Sequence, residues 1–132
     1  MTIPTRQLPK FVTKTLKFPK TTIGPKETIV LTKTVDELSK PIRFILPDKI
    51  SNKLEVNQIR IGQEEILSSP VSGKLLSEFQ NGFALKLDKI SAIQANSNIY
   101  LTITNKTTRS LVVDAKVMVR CIDLGPAAYG LN

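Results

Sequence analysis

Residues 98–123 read NIYLTITNKTTRSLVVDAKVMVRCID. Ile99, Leu101 and Ile103 alternate with Tyr100, Thr102 and Thr104, the period of two that a strand with one buried face produces. A polar cluster, Asn105-Lys106-Thr107-Thr108, interrupts the pattern, which then resumes. Leu111, Val113, Ala115, Val117, Val119 and Cys121 make one apolar row, while Val112, Asp114, Lys116, Met118, Arg120 and Ile122 make a mixed one. Two strands joined through a polar turn predict an antiparallel hairpin with a dry side and a wetter side. A hairpin alone is marginal in water, so its dry side must meet another sheet. The expectation is an all-β chain folded as an antiparallel β-sandwich.

The preceding residues agree. Glu27 to Thr34 reads as a strand, and Pro41 to Pro47 as a short one whose flanking prolines suit a sheet edge. Leu54 to Ile61 is longer, and its apolar phase slips between Val56 and Ile59, which predicts a β-bulge. Thr34-Val35-Asp36-Glu37 has the form of a capping box and predicts one helical turn. Gly73 to Phe79 reads as a short strand or a single turn. Asn81-Gly82 predicts a hairpin turn, with Phe83, Leu85 and Leu87 on the strand after it. Seven or eight short strands in about 105 residues, with frequent turns, is the spacing of sandwiches and jelly rolls.

At 132 residues, 41% hydrophobic and 23% charged, the chain fits one domain with a sufficient core. Its one cysteine, Cys121, lies on the apolar row and excludes an intrachain disulfide. No run approaches the roughly 18 apolar residues of a membrane helix. The first residues lack the apolar centre of a secretory signal, so a cytoplasmic site of synthesis is expected.

Charge is unevenly placed. Residues 1–26 hold Arg6, Lys10, Lys14, Lys17, Lys20 and Lys26 with no acid, whereas 27–132 carry 13 basic and 11 acidic residues. Four of the 8 prolines also fall in 1–26, which disfavours a helix there. This predicts a basic, proline-rich, extended arm (1–26) on a nearly neutral β-sandwich domain (27–132). Phe11, Leu16 and Phe18 would join the arm's cations in contacting a partner surface. Alternatively, 11–18 is the first strand of the sandwich itself.

Chemistry is scarce. There is no histidine, so His-based acid–base catalysis, Ser-His and Cys-His pairs and the commonest metal ligand are absent. One cysteine cannot build a zinc or iron–sulfur site. The adjacent pairs Asp36-Glu37 and Glu64-Glu65 would point to opposite faces of a strand, so neither makes a ready dyad. The expectation is no enzyme, no cofactor and no metal. On the wetter row, Val112, Met118 and Ile122, with Tyr100 on the facing strand, predict a face covered by another subunit. A six-charge arm would give a salt slope of roughly −4 on single-stranded nucleic acid. With Phe44, Phe79 and Phe83 on apolar faces, few aromatics remain for base stacking.

Three stretches carry a resemblance: Gln58-Ile59-Arg60-Ile61-Gly62, Ser69-Pro70-Val71, and Asn98 through Asn105. Over residues 54–122 the domain resembles the small jelly-roll or β-sandwich proteins of virus and bacteriophage particles, the minor capsid, decoration and spike-base proteins. What the resemblance implies is assembly. A jelly-roll-like body would pack beside its copies as a homo-oligomer, and a basic arm would tie it to other capsid or virion proteins. Assembly would take place in a host cytoplasm; residues 1–26 would meet an acidic capsid surface in preference to packaged genome, with non-specific nucleic-acid contact through 1–26 left open. The alternative is a single-stranded nucleic-acid-binding protein with a β-barrel domain; a carbohydrate-binding module is disfavoured by the same scarcity of exposed aromatics.

Overall fold

The computed structural model describes residues 10–67, 69–77 and 92–123, with backbone alone at Lys10, Phe11, Ile122 and Asp123. Ten strands run in chain order: β1 Lys10–Lys17, β2 Thr21–Ile23, β3 Thr28–Val35, β4 Ser39–Ile45, β5 Leu54–Ile61, β6 Glu64–Leu67, β7 Val71–Ser72, β8 Ser97–Asn105, β9 Leu111–Val113 and β10 Lys116–Asp123. One short helix, α1 Asp48–Ser51, and a 3₁₀ turn, Gly73–Leu76, are the helical elements among the described residues.

The strand pairings are nested. Lys10 lies opposite Asp123, Thr21 opposite Val113, Thr28 opposite Thr104, Ser39 opposite Ile93, and Ile61 opposite Glu64. These pairings make an antiparallel ribbon of the described strands, doubled back at Gly62, whose φ of +57° suits a residue without Cβ. Rolled up, the ribbon gives one sheet in the order β1-β10-β4 and another in the order β3-β8-β5-β6, with β2-β9 extending the β1-β10 ribbon and β7 beside β5. In each sheet a late strand sits between two early ones. That is the wrapping of a jelly roll, and the all-β sandwich expected from the pattern is what the chain forms.

The core fills the space between the sheets. Leu31, Val35, Val56, Ile59, Ile99, Leu101 and Ile103 from one meet Phe44, Val117, Val119 and Cys121 from the other. The slip in β5 is a register shift between Val56 and Gln58 against β8, as the apolar phase predicted. Thr34 to Glu37, read as a capping box, start no helix: Thr34 and Val35 continue β3, and Asp36 to Leu38 connect it to β4. Gly73 begins the 3₁₀ turn, with Ser51 O so close that an added Cβ would clash at 2.5 Å.

Two expectations need correction. The stretch 98–123 is not a hairpin: β8 bonds to β3 and β5, whereas β10 bonds to β1 and β4. Both apolar rows are buried as expected, but they face each other across the core from different sheets. Alternation states which side of a strand is dry and leaves open which edge it bonds. Asn105, fully buried, anchors the crossing, its Nδ2 reaching Ile23 O, Gly24 O and Arg109 O at 3.1, 3.1 and 2.6 Å.

The second concerns the N-terminal segment. Residues 10–17 are β1, bonded along their length to β10, and Phe18 N–H continues the ladder to Ala115 O at 2.9 Å. The alternative that 11–18 is the first strand therefore holds. From Lys10 onward the basic segment is sheet, not a detached arm. Arg6 and the strand expected around Phe83, Leu85 and Leu87 lie outside the described residues.

Candidate interaction surfaces

Directly opposed residues of an antiparallel pair share a face, so the registers assign each outward side chain. On the β1-β10-β4 sheet the outward positions are Thr13, Thr15 and Lys17, then Arg120, Met118 and Lys116, then Lys40, Arg43 and Ile45. Lys17 lies opposite Lys116, and Arg120 opposite Lys40. Like charges so placed repel. Arg43 is drawn along the sheet by donating to Ser77 O at 2.9 Å. A cleft of about 190 Å³ opens beside Lys40, Pro41, Ile42 and Arg120. Val112, 52% exposed, and half-buried Met118 lie on the outward row of β9 and β10, and Ile122 continues that row opposite Phe11.

The other outer face is of different chemistry. Thr28, Val30, Thr32 and Thr34 of β3 oppose Thr104, Thr102, Tyr100 and Asn98 of β8, and Glu55, Gln58 and Arg60 of β5 flank them. Hydrogen bonds run between the side chains. Thr104 Oγ1 meets Thr28 Oγ1 at 2.6 Å and donates to Asn57 Oδ1 at 2.7 Å; Thr34 donates to Asn98 Oδ1 at 2.7 Å. The Arg60 guanidinium stacks 4.5 Å from the centre of the Tyr100 ring, a cation–π contact. Arg60 Nε is buried without a hydrogen-bond partner. Val30, 57% exposed, is the apolar exception.

The four residues expected on one subunit face are therefore divided. Tyr100 belongs to the hydroxyl-bearing sheet, while Val112, Met118 and Ile122 belong to the ribbon on the opposite side. Sequence reading put them together by treating β8 and β10 as neighbours.

Of the residues read as arm contacts, Phe18 is only 2% exposed and Leu16 packs against the core, so their apolar surface is used within the domain. Lys14 bonds Glu37 Oε1 at 2.6 Å, tying the β1 edge to the β3–β4 connection. That hydrogen bond and the charge of Glu37 raise the Lys14 ammonium above its ordinary pKa. Lys17, Lys20 and Lys26 are exposed, and Lys10 and Phe11 are placed by register alone. Among the described residues no group of three or more His, Cys, Asp and Glu is arranged to hold a metal ion. No described helix is long and apolar enough to cross a membrane. Comparison with protein-family models, curated proteins and solved structures finds no match.

Proposed function

We propose that this chain is a non-enzymatic structural protein of a virus particle, of the minor capsid, decoration or cement kind, working by self-association and by contact with other particle proteins. The jelly-roll strand order is the observation that supports the reading. A doubly layered body closed by its own first and last strands offers rigid outer faces for packing beside copies of itself. The outward row bearing Val112 and Met118 supplies the apolar part of such a contact, and the cations around it supply the polar rim.

The test uses the full chain, because removing residues 1–26 would strip β1 and β2 and bare the β10 edge. In sedimentation, wild type runs as an oligomer at micromolar concentration, and Val112→Asp with Met118→Asp runs as a monomer with its melting unchanged. Wild type that stays monomeric throughout, and that is absent from purified particles by immunodetection, overturns the reading.

A further inference from the structure

Strands β3, β5 and β8 finish together at one end, where Thr28 opposes Thr104 and Leu54 opposes Asn105. Three loops meet there: 24–27, 46–53 and 106–110. They are latched to one another through the backbone. Lys26 N–H donates to Thr107 O at 3.2 Å, Lys106 N–H donates to Lys53 O at 3.0 Å, and the Lys26 ammonium donates to Lys106 O. Lys26 adopts a φ of +59° to do this, a conformation that L side chains rarely take. The latch joins the backbones of Lys26, Lys53 and Lys106, and Asn105 Nδ2 holds Arg109 O at the same end. Lys49 and Lys74 border a cleft of about 370 Å³ alongside. Among the described residues the acids of this end are Glu27, Asp48 and Glu55, the last opposite Thr104 and bonded by Asn57, whereas Asp36, Glu37 and Glu64 lie at the far end of the sandwich.

The hydrogen-bonding balance of this end is one-sided. The carbonyl oxygens of Lys53, Lys106, Thr107 and Arg109 all accept bonds from within the protein. The side chains of Lys53, Lys106 and Arg109 are exposed and make no hydrogen bond or ion pair among the described residues. No large apolar side chain is exposed on the three loops. With those loop carbonyls occupied, and with the cations Lys26, Lys49, Lys53, Lys74, Lys106 and Arg109 outnumbering the carboxylates of Glu27, Asp48 and Glu55, this end suits a partner rich in anionic acceptors. A protein partner would instead bring mixed donors and acceptors around an apolar centre. A phosphodiester backbone brings anionic acceptor oxygens at regular spacing.

We propose that this loop end binds the phosphate backbone of nucleic acid without reading its bases. Tyr100, the outward aromatic of β8, is stacked with Arg60 on a sheet face, so the loops have no stacking platform and sequence preference is absent. The assignment places nucleic-acid contact on the folded end rather than on a leading arm. It stands independently of whether the chain assembles.

Fluorescence anisotropy of labelled single strands and duplexes, titrated with salt against the full chain, tests it. On single strands each neutralised phosphate contributes about 0.7 to the slope of log affinity on log salt. The variant Lys53→Gln/Lys106→Gln/Arg109→Gln is expected to lower the slope by about 2. The sheet-face variant Lys17→Gln/Lys40→Gln/Lys116→Gln, with the same net charge, is expected to leave it unchanged. Oligonucleotides of unrelated sequence bind alike. If the loop triple does not fold, Lys106→Gln alone lowers the slope by about 0.7. Absence of binding at low salt, equal losses in the two triples, or equal competition by polyglutamate at matched charge overturns the proposal.

Discussion

The two outer faces of the sandwich are built on the same ladder and solve their solvent problem differently. On the β3-β8-β5-β6 sheet, hydroxyls and amides bond one another across the strands, as at Thr28, Thr104 and Asn57. On the β1-β10-β4 sheet, cation stands opposite cation at Lys17 and Lys116 and again at Lys40 and Arg120, with Met118 between them. One face ties its hydroxyls and amides to one another, while Arg60 Nε stays buried without a partner. The other sets Lys17 against Lys116, a like-charged opposition, and it also carries the exposed Val112 row. Under the proposed function, it is the second face that meets neighbouring subunits.

The largest expected effect falls at the crossing between the sheets. Asn105→Ala removes the amide that holds three carbonyls where β8 leaves one sheet for the other. It is expected to cost about 3 kcal/mol, read by urea unfolding; a loss under about 1 kcal/mol would mean that water replaces the amide without strain.

A smaller effect sharpens the hydroxyl face. Thr104→Val should lose about 1 kcal/mol, because Asn57 Oδ1 and Thr28 Oγ1 both lose a partner. Thr102→Val, beside exposed Val30, is the control and is expected to be neutral. Equal losses at both positions would show that the network has no special weight.

On the cationic face the sign reverses. Lys17→Thr removes one member of a directly opposed like-charged pair and should raise stability by about 0.5 kcal/mol at low salt. The gain should vanish near 1 M salt, where screening reaches about 3 Å. Destabilisation at low salt would refute the repulsion.

The weakest expected effect lies where the edges of the two sheets meet. The Lys14 ammonium, held by Glu37, has its pKa raised. A group raised on folding contributes stability that is fully present below its unfolded pKa, about 10.4, and is lost as pH rises through the folded value. Glu37→Gln should abolish that alkaline loss, visible as equal melting of variant and wild type above the transition. Both groups are about half exposed, so the effect is small.

Much of this architecture was legible in the alternation of apolar residues. Ile99, Leu101 and Ile103, and Val113 through Cys121, are buried on the side the pattern gave them. The irregularity between Val56 and Ile59 was readable because a bulge shifts the phase of every residue after it. Pairing was not readable: the row of Val117 says that something dry lies above it, not that Leu16 and Phe44 lie beside it. Tyr100 was for that reason assigned to the wrong surface. Proline count and charge made 1–26 look like a tail, yet the alternation of Val12, Leu16 and Phe18 already carried the strand. The loop cations gave no local signal, since Lys26, Lys53 and Lys106 become neighbours only after the ribbon is rolled.

The nesting of the ribbon also governs how this molecule comes into being. Among the described strands β1 bonds β10 alone, so it waits for a partner about a hundred residues later in the chain to leave the ribosome. Translation at about 5–20 residues per second leaves it bare for several seconds. Pairings between such distant positions put folding in the slow, millisecond-to-second range. Through that interval the edge that β1 will present is open to any other nascent copy, which makes high-level synthesis a hazard for aggregation and a natural point of dependence on chaperones.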